Sequence, residues 1–312
     1  MKEIDISFPS NDVTLRGTFT APEEAGPFPC VLLIAGSGRV DRDENHRRLA
    51  VNALRETAEM LSRQGFATLR FDKRGVGASG GDYWTTGFYD NAEDVCAALS
   101  FLASRGDVAH EHVFLLGHSE GAILATHLAA QQVGVAGVIL LSGSARPGEE
   151  LLAWQTQQIR RTLSGPRAWL IRLFHIDIGR AHQKAMAKLK ETSTDVARLG
   201  LLAKVNAKWM REFLAYDPSA DLGRIRVPIL AITGADDVQT DPADLDRMHY
   251  LVRAPFESHH ISGVSHLLRD THGQKGISGY KEQVTRPVDS RVLRAIANWL
   301  DRQVEVLPVR SA

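Results

Sequence analysis

The sequence predicts an α/β protein: a mostly parallel, twisted sheet with helices on both faces and a helical segment inserted into the second half of the chain. Three observations predict it. Short apolar runs of strand length alternate with stretches of helical periodicity. Some of those runs, such as Cys30–Ala35 (CVLLIA), are apolar throughout, as strands covered on both faces are. The alternation breaks off once, near Gly148, and resumes near Pro228.

Taken in order, Ile4–Phe8 and Val13–Thr20 read as an opening antiparallel pair, with Ser-Asn-Asp at the turn. Cys30–Ala35 is the first central strand. Asn45–Gln64 carries helical periodicity, Phe66–Phe71 is a strand, and Asn91–Ala103 is a helix. Val113–Gly117 is a strand, Gly121–Gln131 a helix and Gly137–Leu141 a strand. From Gly148 to about Tyr216 the pattern is only helical, with Trp154, Trp169 and Trp209 among apolar and basic residues. Pro228–Thr233 is again a strand. A helix at Ala243–Val252, a strand at Glu257–Ile261 and a helix at Ser290–Arg302 complete the chain. Residues 1–147 and 217–312 therefore make one core. Residues 148–216 are an insertion at the carboxyl edge of the sheet, where open α/β folds bind ligands, and are placed to act as a cap.

The chain has 312 residues, enough to bury a large core without disulfides. Lys plus Arg equals Asp plus Glu, 37 each, so no global charge draws it to nucleic acid or to an acidic membrane surface. No stretch approaches the ~20 apolar residues of a membrane span, and the N-terminus has no apolar run of signal-peptide type. Cys30 and Cys96 are too few for a disulfide framework. A cytoplasmic protein is expected, with no nucleic-acid partner and no membrane insertion. Residues 148–216 hold twelve Lys/Arg against six Asp/Glu. The plain explanation is a solvated helical face; the sharper one is a cap that draws in anionic substrates.

The strongest chemical signal is Gly117-His118-Ser119-Glu120-Gly121, which follows the strand VFLL and precedes the helix AILATHLAA. A G-x-S-x-G in that context is a nucleophile elbow. The tight turn pushes the serine hydroxyl out at the sheet edge, and the helix dipole favours negative charge there. A serine hydroxyl needs a base, and the base needs a carboxylate; in this arrangement they follow in the order Ser, acid, His. The strand ending at Thr233 leads into Gly234-Ala235-Asp236-Asp237, and the last strand leads into Ser262-Gly263-Val264-Ser265-His266. His266 is the expected base. Asp237 is the expected acid, with Asp236 the second candidate. His259, His260 and His266 could form a metal cluster, but no Cys/His ligand spacing or HExxH supports one, so no metal is expected.

Acyl transfer also needs backbone donors for the tetrahedral oxyanion. The N–H of Glu120, directly after the serine, should supply one. The second should come from Gly36-Ser37-Gly38, after CVLLIA, through the N–H of Ser37. That loop lacks the G-x-x-x-x-G-K-[ST] of a phosphate cradle. Asp72-Lys73-Arg74-Gly75-Val76-Gly77-Ala78-Ser79 follows another strand and receives no catalytic role; Asp72 and Arg74 are candidates to brace nearby loops.

Together these residues resemble the α/β-hydrolase superfamily. More narrowly, they are similar to bacterial carboxylesterases with a Gly-Ser-Gly oxyanion loop followed by Asp-Arg-Asp, here within Gly36-Ser37-Gly38-Arg39-Val40-Asp41-Arg42-Asp43-Glu44-Asn45. The pattern usually has proline where Arg39 stands and often glycine where Glu44 stands. The resemblance implies hydrolysis of short acyl esters with neither metal nor organic cofactor. Thioesterase, lactonase, peptidase and acyltransferase chemistry share such a triad, and a non-catalytic ligand-binding module on the same fold is the alternative from another class. A small-molecule ester or thioester is the partner expected.

Overall fold

In this computed structural model residues 1–162, 178–199 and 203–306 are described. The strands, in chain order, are β1 (Lys2–Ser10), β2 (Val13–Ala21), β3 (Phe28–Ile34), β4 (Ala67–Phe71), β5 (Val108–His118), β6 (Gly137–Leu141), β7 (Val196–Leu199), β8 (Ala203–Asn206), β9 (Ile229–Gly234) and β10 (Phe256–Ile261). Eight of them form one sheet in the order β1-β2-β4-β3-β5-β6-β9-β10. β2 runs antiparallel to β1 and β4, and the remaining neighbours are parallel.

Alternation along β3 shows why the sheet is central. Cys30, Leu32 and Ile34 point into one apolar layer, and Val31 and Leu33 into the other. The first layer is closed by α2 (Phe88–Ala103) and α3 (Glu120–Ala130), which contribute Phe88, Val95, Leu124 and Leu128. The second is closed by α1 (Ala53–Arg63) and the C-terminal helix, Ser290–Val306. Leu54, Ala58 and Leu61 recur at helical spacing on α1, and Val292, Ile296 and Trp299 on the last helix; all are buried. Each large aliphatic side chain so buried contributes about 1.5–3 kcal/mol.

The first helix is shorter than its sequence periodicity predicts, starting at Ala53 rather than Asn45. Two asparagines stop it. Asn45 Oδ1 accepts the N–H of Asn52, its Nδ2 donates to Asn52 Oδ1, and Asn52 takes a φ of 51°. The residues between them fold into a small loop closed by reciprocal backbone bonds between His46 and Leu49.

Between β6 and β9 lie α4 (Gly148–Thr162), α5 (Ile178–Glu191), the antiparallel hairpin of β7 and β8, α6 (Ala207–Ala215) and α7 (Pro218–Leu222). The hairpin departs from the all-helical pattern read for this stretch. Four-residue strands alternate too briefly to stand out against the helical periodicity around them. Trp169 lies outside the described residues. Met186, Leu189, Ala207 and Leu214 form a small core of their own. At Gly148 a Cβ would lie 2.0 Å from the Phe213 carbonyl oxygen, so only glycine lets α4 and α6 approach this closely. α8 (Asp244–Leu251), α9 (Tyr280–Gln283) and the C-terminal helix, α10, complete the chain. Among the described residues no helix is long and apolar enough to cross a membrane.

Candidate active site

Ser119 stands between the end of β5 and the first residue of α3, at φ 55° and ψ −116°. Such a backbone is strained for a residue with a Cβ. Ser119 N–H donates to the Leu141 carbonyl, and its own carbonyl accepts from Ala122 and Ile123. The flanking glycines are sterically required. A Cβ on Gly117 would lie 2.0 Å from the Gly121 oxygen, and one on Gly121 2.0 Å from the Ile34 oxygen. The turn thus packs against β3, whose carboxyl end carries the Gly36–Gly38 loop.

His266 sits in the loop after β10. Its Nδ1 lies 2.8 Å from Asp237 Oδ2 and 3.1 Å from Oδ1. A carboxylate only accepts, so Nδ1 is the donor. Asp237 Oδ1 also accepts the N–H groups of Gln239 and Thr240, at 2.7 and 2.9 Å. Burial by itself would raise the Asp237 pKa. Electrostatic attraction to and the hydrogen bond from His266, with the two N–H donors, outweigh it and hold the carboxyl below its usual range. Of the two candidate acids, Asp237 faces His266. Asp236 turns away, accepting from Thr271 at 2.9 Å and pairing with Lys275 at 2.7 Å. Gly234 lets the acid loop and the histidine loop meet, since a Cβ there would lie 2.1 Å from the Val264 oxygen. His259 is paired with Glu257 instead of with His266.

Ser37, Ser119 and His266 line one cavity of about 190 Å³, together with Gly36, Gln239, Leu267 and Tyr280. On the other side of Ser119 a smaller cavity of about 40 Å³ is walled by Ile123, Leu151, Leu152, Trp209 and Phe213. Ser37, Ser119 and Glu120 line it too. Among the described residues no backbone acceptor takes the N–H of Ser37 or of Glu120.

The Asp41-Arg42-Asp43 run, half-buried, forms an ion-pair network with Asp72 and Arg70. Arg42 donates to Asp72 through Nε, Nη2 and its own N–H, and Asp43 accepts from Arg70 at 2.6 Å. Asp41 accepts the N–H groups of Asp43 and Asn45. Arg74 pairs with Asp94, and Lys73 reaches the Gly36 carbonyl. The DKRGVGAS segment therefore braces the neighbouring loops.

Two buried groupings join residues whose pairing no sequence pattern shows. The Glu120 carboxylate, 2% exposed, accepts from Lys73 (2.8 Å), Asn91 (3.1 Å) and Trp209 Nε1 (2.6 Å). It thereby ties α6 of the inserted segment to the turn at Ser119. Glu44 pairs with His118, whose ring turns away from the serine toward the His266 loop. Several of these residues stand in segments singled out in the sequence, but only the fold brings the partners together.

The family model described as serine aminopeptidase, S33 matches residues 48–270. Esterase EstD of Thermotoga maritima is 29% identical over 300 residues, covering 94% of this chain and 68% of EstD. Est1E of Butyrivibrio proteoclasticus, solved with ferulic acid bound, superposes with a TM-score of 0.65 at 16% identity, over 96% of this chain and 99% of that one. Proline iminopeptidase of Mycobacterium smegmatis does so at 0.64 and 17% identity, over 98% and 100%. At such identities the solved structures speak for the shared α/β-hydrolase fold alone.

Proposed function

The chain belongs to the α/β-hydrolase family described as serine aminopeptidase, S33, and on that premise we propose that it is a carboxylic-ester hydrolase acting through Ser119, His266 and Asp237. Ser119 Oγ attacks the ester carbonyl as its proton passes to His266 Nε2. The oxyanion is met by the N–H groups of Ser37 and Glu120, and Asp237 stabilises the imidazolium. Collapse releases the alcohol with the His266 proton and leaves an acyl-enzyme. Water, deprotonated by His266, then attacks the acyl carbonyl and restores the serine.

The observation that carries this reading is the Asp237–His266 pair standing at the same cavity as a serine in a strained strand-to-helix turn. The family description raises an aminopeptidase as a second reading. Such an enzyme needs an acid free to hold the substrate ammonium. Among the described residues, the acidic ones lining the two cavities beside Ser119 are Glu44 and Glu120, and both are spent on buried partners. Ester hydrolysis asks for no such group. The cavity of about 40 Å³ favours a short acyl chain on that side. In this reading residues 148–216 are the cap, and Trp209 in its described part is tied to Glu120 of the core. Cys30 and Cys96 are unbridged, in keeping with a cytoplasmic site of action.

A fluorophosphonate probe tests the proposal. Wild type is expected to label and to turn over short-chain esters, and Ser119→Ala to do neither while keeping its fold. Undiminished labelling of Ser119→Ala would sink it. A panel of esters and thioesters of graded acyl length then separates esterase from thioesterase.

A further inference from the structure

We propose that Glu44 and His118 are positioning residues: a buried pair sharing one titrating proton that holds the His266 loop and the Gly36–Ser37 turn in place for catalysis. The inference rests on the reading of Ser119 as nucleophile. His118 Nδ1 lies 2.8 and 2.9 Å from the two Glu44 oxygens, and Nε2 lies 2.9 Å from the main-chain oxygen of His266. A carbonyl oxygen can only accept, and so can an ionised carboxylate. Both ring nitrogens therefore donate, and His118 is an imidazolium opposite an ionised Glu44. Glu44 Oε1 also accepts the N–H of Gly36 at 2.8 Å. One carboxylate thus ties the loop carrying Ser37, the turn carrying Ser119 and, through His118, the loop carrying His266.

Both side chains are 5% exposed, so water contributes little to holding either charge. Glu44 also takes φ 68°, a strained backbone for this residue, in order to stand there. Burial alone would neutralise the pair. Mutual attraction and the Gly36 and His266 bonds outweigh it, lowering Glu44 and raising His118 from their ordinary values. The other titratable groups acting on the pair are His266, Asp237 and Arg269, with Lys73 on the Gly36 carbonyl and His46 and Tyr280 at the cavity wall. When the pair loses its proton at high pH, Nδ1–H stays with Glu44 and the Nε2 lone pair confronts the His266 carbonyl. Attraction at that bond becomes repulsion, and the histidine loop loses its hold.

Glu44→Gln separates the proton from the hydrogen bonds. The amide oxygen can keep the Gly36 N–H, its NH₂ can donate to Nδ1 of a neutral ring, and Nε2–H still reaches His266. The experiment is the pH dependence of kcat and KM on a short-chain p-nitrophenyl ester for wild type, Glu44→Ala and Glu44→Gln, with Ser119→Ala as control. Glu44→Ala should lower kcat by about 30-fold or more with KM within about threefold, because the groups it releases act on the transition state. Wild type should show an alkaline fall in kcat, and Glu44→Gln should recover to within about fivefold of wild type at neutral pH and lose that fall. An Ala variant with wild-type kcat, or one damaged in KM alone, overturns the proposal. So does a Gln variant that keeps the alkaline limb. If the Ala variant does not fold, the Gln profile decides. Turnover by Ser119→Ala would instead refute the serine mechanism, so the two failures are told apart.

Discussion

Asp236 and Asp237 are adjacent in sequence and opposite in placement. The turn after β9 aims Asp237 inward, where its carboxylate is fully buried and bonded to His266, Gln239 and Thr240. Asp236 meets Thr271 and Lys275 near the surface. Asp237→Asn is therefore expected to cut kcat/KM by about a thousandfold or more, the scale of losing the carboxylate in such a triad. Asp236→Asn should stay near wild type. Steady-state kinetics of the two variants checks the assignment, and a crippled Asp236→Asn contradicts it. The strand-to-helix turn at Ser119 and the meeting of Asp237 with His266 were legible in the sequence because each depends on its immediate context: a strand, a glycine-bearing turn and an order along the chain. The pairing of Glu44 with His118 was not, because the two lie 74 residues apart and neither the elbow nor the segment around Glu44 points to the other.

At the scale of elements, α6 joins the stretch between β6 and β9 to the core. Asn206 caps that helix by accepting from Trp209 N–H, while its amide donates to the Tyr83 and Thr86 carbonyls. Lys208 pairs with Asp90, and Trp209 donates to Glu120 while stacking on Phe213 at 4.7 Å between centroids. Trp209→Phe keeps an aromatic ring to stack on Phe213 and removes the donor together with part of the ring system. It should cost about 1–3 kcal/mol, the penalty for leaving a buried carboxylate one bond short, and lower the unfolding midpoint in urea. No change in the midpoint would mean that Glu120 is satisfied by Lys73 and Asn91 alone. Strands and helices with full periods were readable from the sequence. The β7–β8 hairpin and the start of α1 were not, since the first is too short to show its period and the second is set by the Asn45–Asn52 clasp.

Over the whole molecule, the buried ionic groups give stability a pH dependence of defined sign. Asp237 and Glu44 titrate below their ordinary values in the fold, so their contribution is full above about pH 4.5 and is lost as pH falls through the lowered values. His118 titrates above its ordinary value, so its contribution is full below about pH 6.5 and is lost as pH rises through the raised one. A tenfold difference in a group's proton affinity between the folded and unfolded chain corresponds to about 1.4 kcal/mol. From these groups, stability should be greatest between about pH 4.5 and 6.5 and decline on both sides. Urea denaturation across pH tests this, and stability that climbs steadily into the alkaline range would refute it. The sequence by itself determined the α/β alternation, the Ser–Asp–His order and the glycines around Ser119, because all of these are written in neighbours along the chain. Only the tertiary structure decided which buried charges meet. The order of strands in the sheet brings together Gly36, Glu44, His118 and His266, and Lys73, Asn91, Glu120 and Trp209, and a buried polar group takes its partner from what lies beside it in space.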